Sequence, residues 1–207
     1  MKTLTNRSNG WLKVLLILFT INCSLFTATA TAQQTDFQQA CTRYKDFKQA
    51  VANINRIIHK KSLKKDIVTT GGACIMAPDM VSISTNEGRD KLLMKGTRFT
   101  MTVNGKEHST DSKKNPQFAT FHTVLTSVIN GGTTDITKLP DVSIQKTGTS
   151  LSITVIPTTD NAKKQKRMMY SKFVLVLDIK TSAIKLLRFV ERDGGFTDYE
   201  FNKFTFE

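Results

Sequence analysis

The sequence predicts a mainly β protein with helices (α+β), built on a strongly curved antiparallel sheet whose concave face is covered by helices. Three observations lead there. About nine to eleven short segments are β-branched or alternate apolar and polar residues, and Gly, Asn and Asp turn signals separate them. Two segments carry wide apolar stripes at helical spacing. A sheet of that many strands curls or pairs rather than staying flat, and striped helices must bury their faces against it.

The chain starts with an export address. Lys2, Arg7 and Lys13 precede Val14-Leu15-Leu16-Ile17-Leu18-Phe19, and small residues from Thr27 to Ala32 follow. This is the order of a secretory signal peptide. Ala30 and Ala32 occupy the two small-residue positions before a cut ahead of Gln33. The expected division is therefore 1–32 as signal peptide and 33–207 as a single domain. The apolar run is short and interrupted for a membrane span, and Cys23 lacks the usual context of a lipidated cysteine.

A first helix is expected after Thr35 and Asp36, with Phe37, Ala40, Cys41, Tyr44, Phe47, Ala50 and Val51 on one face. Ile54, Ile57 and Ile58 either prolong it or open a strand. Strands are expected at Ile67–Thr70, Val81–Ser84, Lys91–Met94 and Thr97–Val103. The last places Phe99, Met101 and Val103 on one sheet face. A second helix is expected from about Asn115 to Ile129. Its stripe comprises Phe118, Phe121, Val124, Leu125, Val128 and Ile129, with Pro116 in the first turn and Gly131-Gly132 as the stop. Strands resume at Val142–Ile144 and Leu151–Val155. After a polar, basic break over Thr158–Arg167 comes Phe173–Leu177, apolar on both faces and so expected within the sheet rather than at its edge. Ala183–Val190 and Phe196–Phe206 end the chain.

The chain carries 30 Lys and Arg against 17 Asp and Glu, and loss of the leader lowers the net charge from +13 to +10. Such a charge would ordinarily suggest nucleic acid. Export makes anionic lipid head groups or an acidic protein surface the better partners. Two basic runs, His59–Lys65 and Lys163–Arg167, are either docking segments or solvated loops. No nucleophile elbow or zinc-binding histidine spacing occurs, and His59, His108 and His122 are scattered. The Ser-x-x-Lys triplets at Ser62, Ser143 and Ser182 are explained by chance in a lysine-rich chain. No catalytic residue, cofactor or metal is therefore expected. Cys41 and Cys74 survive cleavage, either bridged or as two buried thiols.

Several segments, in order, resemble the LolA-type outer-membrane lipoprotein carriers. Gly72-Ala73-Cys74-Ile75-Met76-Ala77-Pro78-Asp79-Met80 is similar to the family's Gly, short strand, Pro and next strand. Leu92-Leu93-Met94-Lys95-Gly96 resembles its apolar strand running into a Gly turn, and Val155-Ile156-Pro157 its strand ending. The Ile184–Val190 and Phe196–Phe206 pair, joined by Asp193-Gly194-Gly195, resembles its terminal hairpin. The resemblance implies an incomplete β-barrel covered by a helical lid. It implies a periplasmic carrier that shields lipoprotein acyl chains from the inner to the outer membrane. The alternative is a lipid or glycolipid carrier on the same fold.

On that reading Val81, Ile83, Phe99, Met101, Val103, Leu151, Ile153 and Val155 form an acyl-chain wall, and Phe118, Phe121, Leu125 and Val128 form the cover. Taken singly, each reads more readily as plain core than as a ligand contact, and the cavity reading concerns the set. The implied partners are acylated lipoproteins, an inner-membrane lipoprotein-releasing complex and an outer-membrane acceptor, with no nucleic acid and a monomeric carrier. One departure stands out: Ala77 occupies the place of the family's lid-latching Arg, so a different polar contact is required to hold the lid, or the lid stands open more often.

Overall fold

The computed structural model of the chain describes residues 30–207. The expected leader lies outside them except for its last three residues. Those three are helical and run into the first helix, so a cut before Gln33 would fall inside that element. No helix among the described residues is long and apolar enough to cross a membrane.

Eleven strands form one antiparallel sheet: β1 Gln49–His59, β2 Ile67–Met76, β3 Met80–Thr85, β4 Asp90–Lys95, β5 Arg98–Val103, β6 Lys106–Asp111, β7 Val142–Thr147, β8 Ser150–Val155, β9 Tyr170–Asp178, β10 Ile184–Glu191 and β11 Phe196–Phe206. Their spatial order is β6-β5-β4-β3-β2-β1-β11-β10-β9-β8-β7. Strand β1 joins two wings by pairing with β2 on one side and β11 on the other. The outer strands β6 and β7 are not neighbours, so the curled sheet stays an open half-barrel. Among the described residues three helices accompany it: α1 (described over residues 30–40), α2 Pro116–Ile129 and the short α3 Ala162–Arg167.

Strand alternation explains how the sheet presents its inner face. Val81, Ile83 and Thr85 of β3 are buried while the residues between them are partly exposed. Leu151, Ile153 and Val155 of β8 repeat the pattern. At Gly71 in β2 the strands come so close that an added Cβ would lie 1.9 Å from the Ser84 carbonyl oxygen. The Gly71-Gly72 pair therefore continues the strand instead of ending it.

The first helix ends earlier than its apolar spacing predicts. It holds Phe37 and Ala40 and stops at residue 40, and Tyr44 follows in a tight 3-10 turn, Thr42–Tyr44. Ala50 and Val51, expected on the helix face, belong to β1, which also takes Ile54, Ile57 and Ile58. Buried residues at 50, 52, 54 and 56 show period two, and backbone bonding to neighbours on both sides outweighs what one more helical turn offers. Tyr44 and Phe47 lock the crossover edge-to-face, with Tyr44 set 4.9 Å from Phe206 of β11. Strand β6 was not expected, because Lys106–Asp111 is almost wholly polar; it is an edge strand paired with β5 alone.

Helix α2 runs where its stripe predicts. Asn115 caps it, its side chain accepting from the Gln117 N–H at 3.1 Å, with Pro116 in the first turn. Gly131 and Gly132 end it at φ of 72° and 76°. A Cβ on Gly132 would stand 3.2 Å from Cys41 Cβ, so the end of α2 abuts α1 directly. Cys41 and Cys74 are both free; Cys41 is buried, and that burial pushes its thiol pKa well up. Two thiols, not a bridge, is the outcome at these positions.

The core is one cluster spanning both wings and the two longer helices. Phe121 of α2 stacks on Phe173 of β9 at 4.8 Å and meets Phe189 of β10 edge-on at 5.7 Å. Phe118 stacks on Phe99 of β5, in the other wing, at 5.0 Å. Phe189→Ala is expected to cost about 3–5 kcal/mol, read as a lower urea midpoint with an unchanged slope.

Asp178 organises the β9–β10 turn. It pairs with Lys185 at 2.7 Å and accepts from the Lys180 and Thr181 N–H groups. The Lys185 ammonium and the Thr181 N–H hold its pKa well below the ordinary carboxylate value. A lowered folded-state pKa gives stability that is complete above the unfolded value, about 4, and is lost as pH falls through the folded one. Asp178→Asn should lower Tm at neutral pH and flatten the loss of Tm below about pH 4, a comparison calorimetry makes directly.

Candidate functional site: an apolar pocket beneath a tethered helix

Helix α2 lies along the concave face and fills most of it. Phe121, Val124, Leu125, Val128 and Ile129 are nearly inaccessible. Beneath them Val81, Ile83, Leu151, Ile153 and Val155 are equally buried. The space they line is thus closed by their own side chains.

Open space remains at the N-terminal end of α2. A cavity of about 240 Å³ lies between β4–β6, the first turn of α2 and the start of β9. Leu92, Phe99, Met101, Phe118, Met169 and Tyr170 make it largely apolar, and Thr100, His108, Ser109, Thr110, Asn115 and Gln117 edge it. Of the twelve residues expected at an acyl-chain site, Phe99, Met101 and Phe118 line this cavity. Val103 sits at the end of β5 and is 37% exposed. The remaining eight pack in the core.

Most of the residues that sequence reasoning missed come from two places. Met169 and Tyr170 follow the basic break, where Met168-Met169-Tyr170 at the start of a strand was the available signal. His108, Ser109 and Thr110 belong to the polar edge strand. Gln117 locks the arrangement: its side-chain oxygen accepts from the buried Tyr170 N–H at 3.0 Å, tying α2 to β9. Burial raises the Tyr170 phenol above its usual value, so it remains a neutral hydroxyl beside the apolar lining.

Two polar contacts hold α2 to the turns of the other wing. His122 Nε2 donates to the Gly96 carbonyl in the β4–β5 turn at 2.9 Å, which places the ring proton on Nε2 because a carbonyl only accepts. Asn130 donates to the Pro78 carbonyl, next to Ala77, at 3.2 Å. These contacts stand where the expected Arg latch is missing. Helix α1 is held to β7 by the exposed Asp36–Lys146 pair at 2.6 Å and by Gln33 donating to the Ile144 carbonyl.

Close to the cavity, Arg56 of β1 and Asp90 of β4 form a buried pair at 2.7 Å and share a small recess with Leu92 and Met101 of the cavity lining. Burial alone would raise the Asp90 pKa; the Asn104 N–H and the Arg56 guanidinium outweigh it and keep the carboxyl below its ordinary value. This pair bridges strands β1 and β4 of one wing and reaches no open cavity of useful size. Among the described residues no cluster of three or more His, Cys, Asp or Glu is arranged to hold a metal ion.

No protein-family model matches the chain, and no curated protein matches it. Solved structures do show similarity. A protein from Vibrio parahaemolyticus described as an outer membrane lipoprotein-sorting protein domain aligns at 12% identity and TM-score 0.44, over 86% of this chain and 93% of that one. A DUF1329 family protein from Desulfovibrio piger aligns at 11% identity and TM-score 0.41, over 84% and 92%. A LolA superfamily protein from Nitrosomonas europaea aligns at 8% identity and TM-score 0.38, over 84% and 93%. The architecture of this chain is an open antiparallel half-barrel with helices packed against its inner face.

The double variant His122→Ala/Asn130→Ala removes both polar tethers. It should raise the fluorescence of an apolar naphthylamine dye added to the folded protein, with Tm lowered by no more than a few degrees. Equal fluorescence in the two proteins would mean that packing alone holds the helix.

Proposed function

We propose that the protein is a periplasmic carrier that binds acyl chains non-covalently in its half-barrel and moves lipoproteins from the inner to the outer membrane, without enzymatic activity. The observation that carries the reading is the apolar cavity at the end of a helix that itself occupies the trough. At about 240 Å³ it is smaller than the 300–1,000 Å³ of ordinary ligand pockets. It admits the first part of a chain, and the rest of the chain enters as α2 withdraws.

The energetics permit that exchange. A buried palmitoyl chain is worth on the order of 10 kcal/mol at about 0.8 kcal/mol per methylene. The α2 stripe buries Phe118, Phe121, Val124, Leu125, Val128 and Ile129, each contributing about 1.5–3 kcal/mol. Ligand and helix are thus matched in order of magnitude, so a chain replaces the helix on the same apolar wall. The export signal and the basic charge agree with a site of action between membranes. Loading by an inner-membrane complex and delivery to an outer-membrane acceptor belong to the same proposal.

Purification from the native periplasm, followed by mass spectrometry of what co-elutes, is the direct test. Acylated lipoproteins support the lipoprotein carrier, free lipids the lipid carrier, and neither, repeatedly, counts against both. Phe121 is a poor mutational probe because it sits in the centre of the core. Met101 is half-buried and lines the cavity. Met101→Asp should weaken binding of a fluorescent fatty-acid probe by about tenfold or more while the far-ultraviolet spectrum is unchanged.

A further inference from the structure

The apolar cavity does not open onto neutral surface. A groove of about 500 Å³ adjoins it, lined by Thr110, Lys114, Asn115, Pro116, Gln117, Lys164, Arg167, Met168 and Met169. Thr110, Asn115, Gln117 and Met169 line both spaces, so groove and cavity are immediate neighbours. Three cations and no carboxylate face the groove. Lys164 and Arg167 stand three residues apart on α3 and so share one of its faces. Lys163 and Lys166, between and beside them, are absent from the lining. Lys114 reaches the groove from the turn before α2. Among the described residues none of the three forms an ion pair. The nearby Asp111 has its oxygens engaged by the Thr97 hydroxyl and the Lys113 N–H.

We infer that this groove is the head-group subsite of the acyl pocket and that the ligand class is an anionic amphiphile: one acyl chain in the cavity, with a phosphate or carboxylate head at Lys114, Lys164 and Arg167. The inference rests on the acyl-chain reading above and narrows it to the lipid carrier, because the lipidated cysteine of a lipoprotein carries neither phosphate nor carboxylate beside its acyl chains. Like charges gathered at the mouth of an apolar cleft repel one another and raise the local concentration of anions. A neutral head group would leave them uncompensated, and a zwitterionic one would bring its own cation among them. Met169, 61% exposed, sits at the boundary between the two spaces, where an amphiphile changes from polar to apolar. The basic segment at Lys163–Arg167 thereby divides its work: Lys164 and Arg167 serve the site, while Lys163 and Lys166 face solvent.

The test compares two ligands with the same palmitoyl chain, lysophosphatidylglycerol and lysophosphatidylcholine, below their micelle concentrations. Each is titrated into the full mature protein as a displacer of a fluorescent fatty acid. The anionic ligand should bind about tenfold more tightly, and the preference should fall to near unity in Lys114→Ser/Lys164→Ser/Arg167→Ser and in high salt. Glycerol 3-phosphate, a head group without a chain, should not displace the probe. Equal affinity for the two lipids in the wild type overturns the head-group subsite and leaves the acyl pocket standing. Full displacement by glycerol 3-phosphate overturns the amphiphile in favour of a plain phosphate site. Binding of neither lipid, nor of the probe, overturns the acyl-chain reading itself and the subsite with it.

Discussion

The structure depends on the aromatic contact that α2 makes with both wings of the sheet at once. An open sheet has no closing strand, and β6 and β7 leave a gap that backbone hydrogen bonds do not bridge. The wings are held together instead by Phe118 against Phe99 on one side and Phe121 against Phe173 and Phe189 on the other. One helix therefore performs two tasks. It supplies the core that keeps the half-barrel curved, and it occupies the surface on which a ligand would lie. Any acyl chain that enters must replace aromatic contacts with aliphatic ones on the same wall, which apolar burial allows because it is non-directional.

That dual role explains which polar contacts hold the helix. They are few and lie at its periphery: His122 to a turn carbonyl, Asn130 to another, Gln117 to the Tyr170 backbone. Each is a neutral bond of modest net worth, about 1 kcal/mol. A charged latch is not among them, and Ala77 offers only a methyl group. The buried pair, Arg56 with Asp90, joins two strands of the sheet and is not a bond to the helix.

Much of this architecture was legible in the sequence where one physical pattern acted alone. The alternation in β3, β5 and β8 and the stripe of α2 between Pro116 and Gly131 each had a single reading. The passage from Phe37 to Val51 misled because apolar residues three and four apart satisfy a helix locally. The pairing of Ala50 with both Ile75 and Phe206, which decides the matter, is a non-local fact. Strand β6 was invisible because an edge strand needs no apolar face. The site was the least legible part: eight of the expected wall and lid residues pack in the core, and the cavity gathered Met169 and Tyr170 from the end of the basic break and His108, Ser109 and Thr110 from a polar edge strand. Hydrophobic pattern tells which residues leave water; it does not tell where packing leaves a gap.

The most direct measurement is hydrogen–deuterium exchange across α2 with and without a saturating long-chain lipid. The account requires the amides of Pro116–Ile129 to change protection on ligand addition, while those of the β1–β11 ladder keep theirs. Unchanged α2 protection, as slow as that of the central strands in both states, would mean that the helix is a fixed part of the core and that the half-barrel carries nothing beneath it.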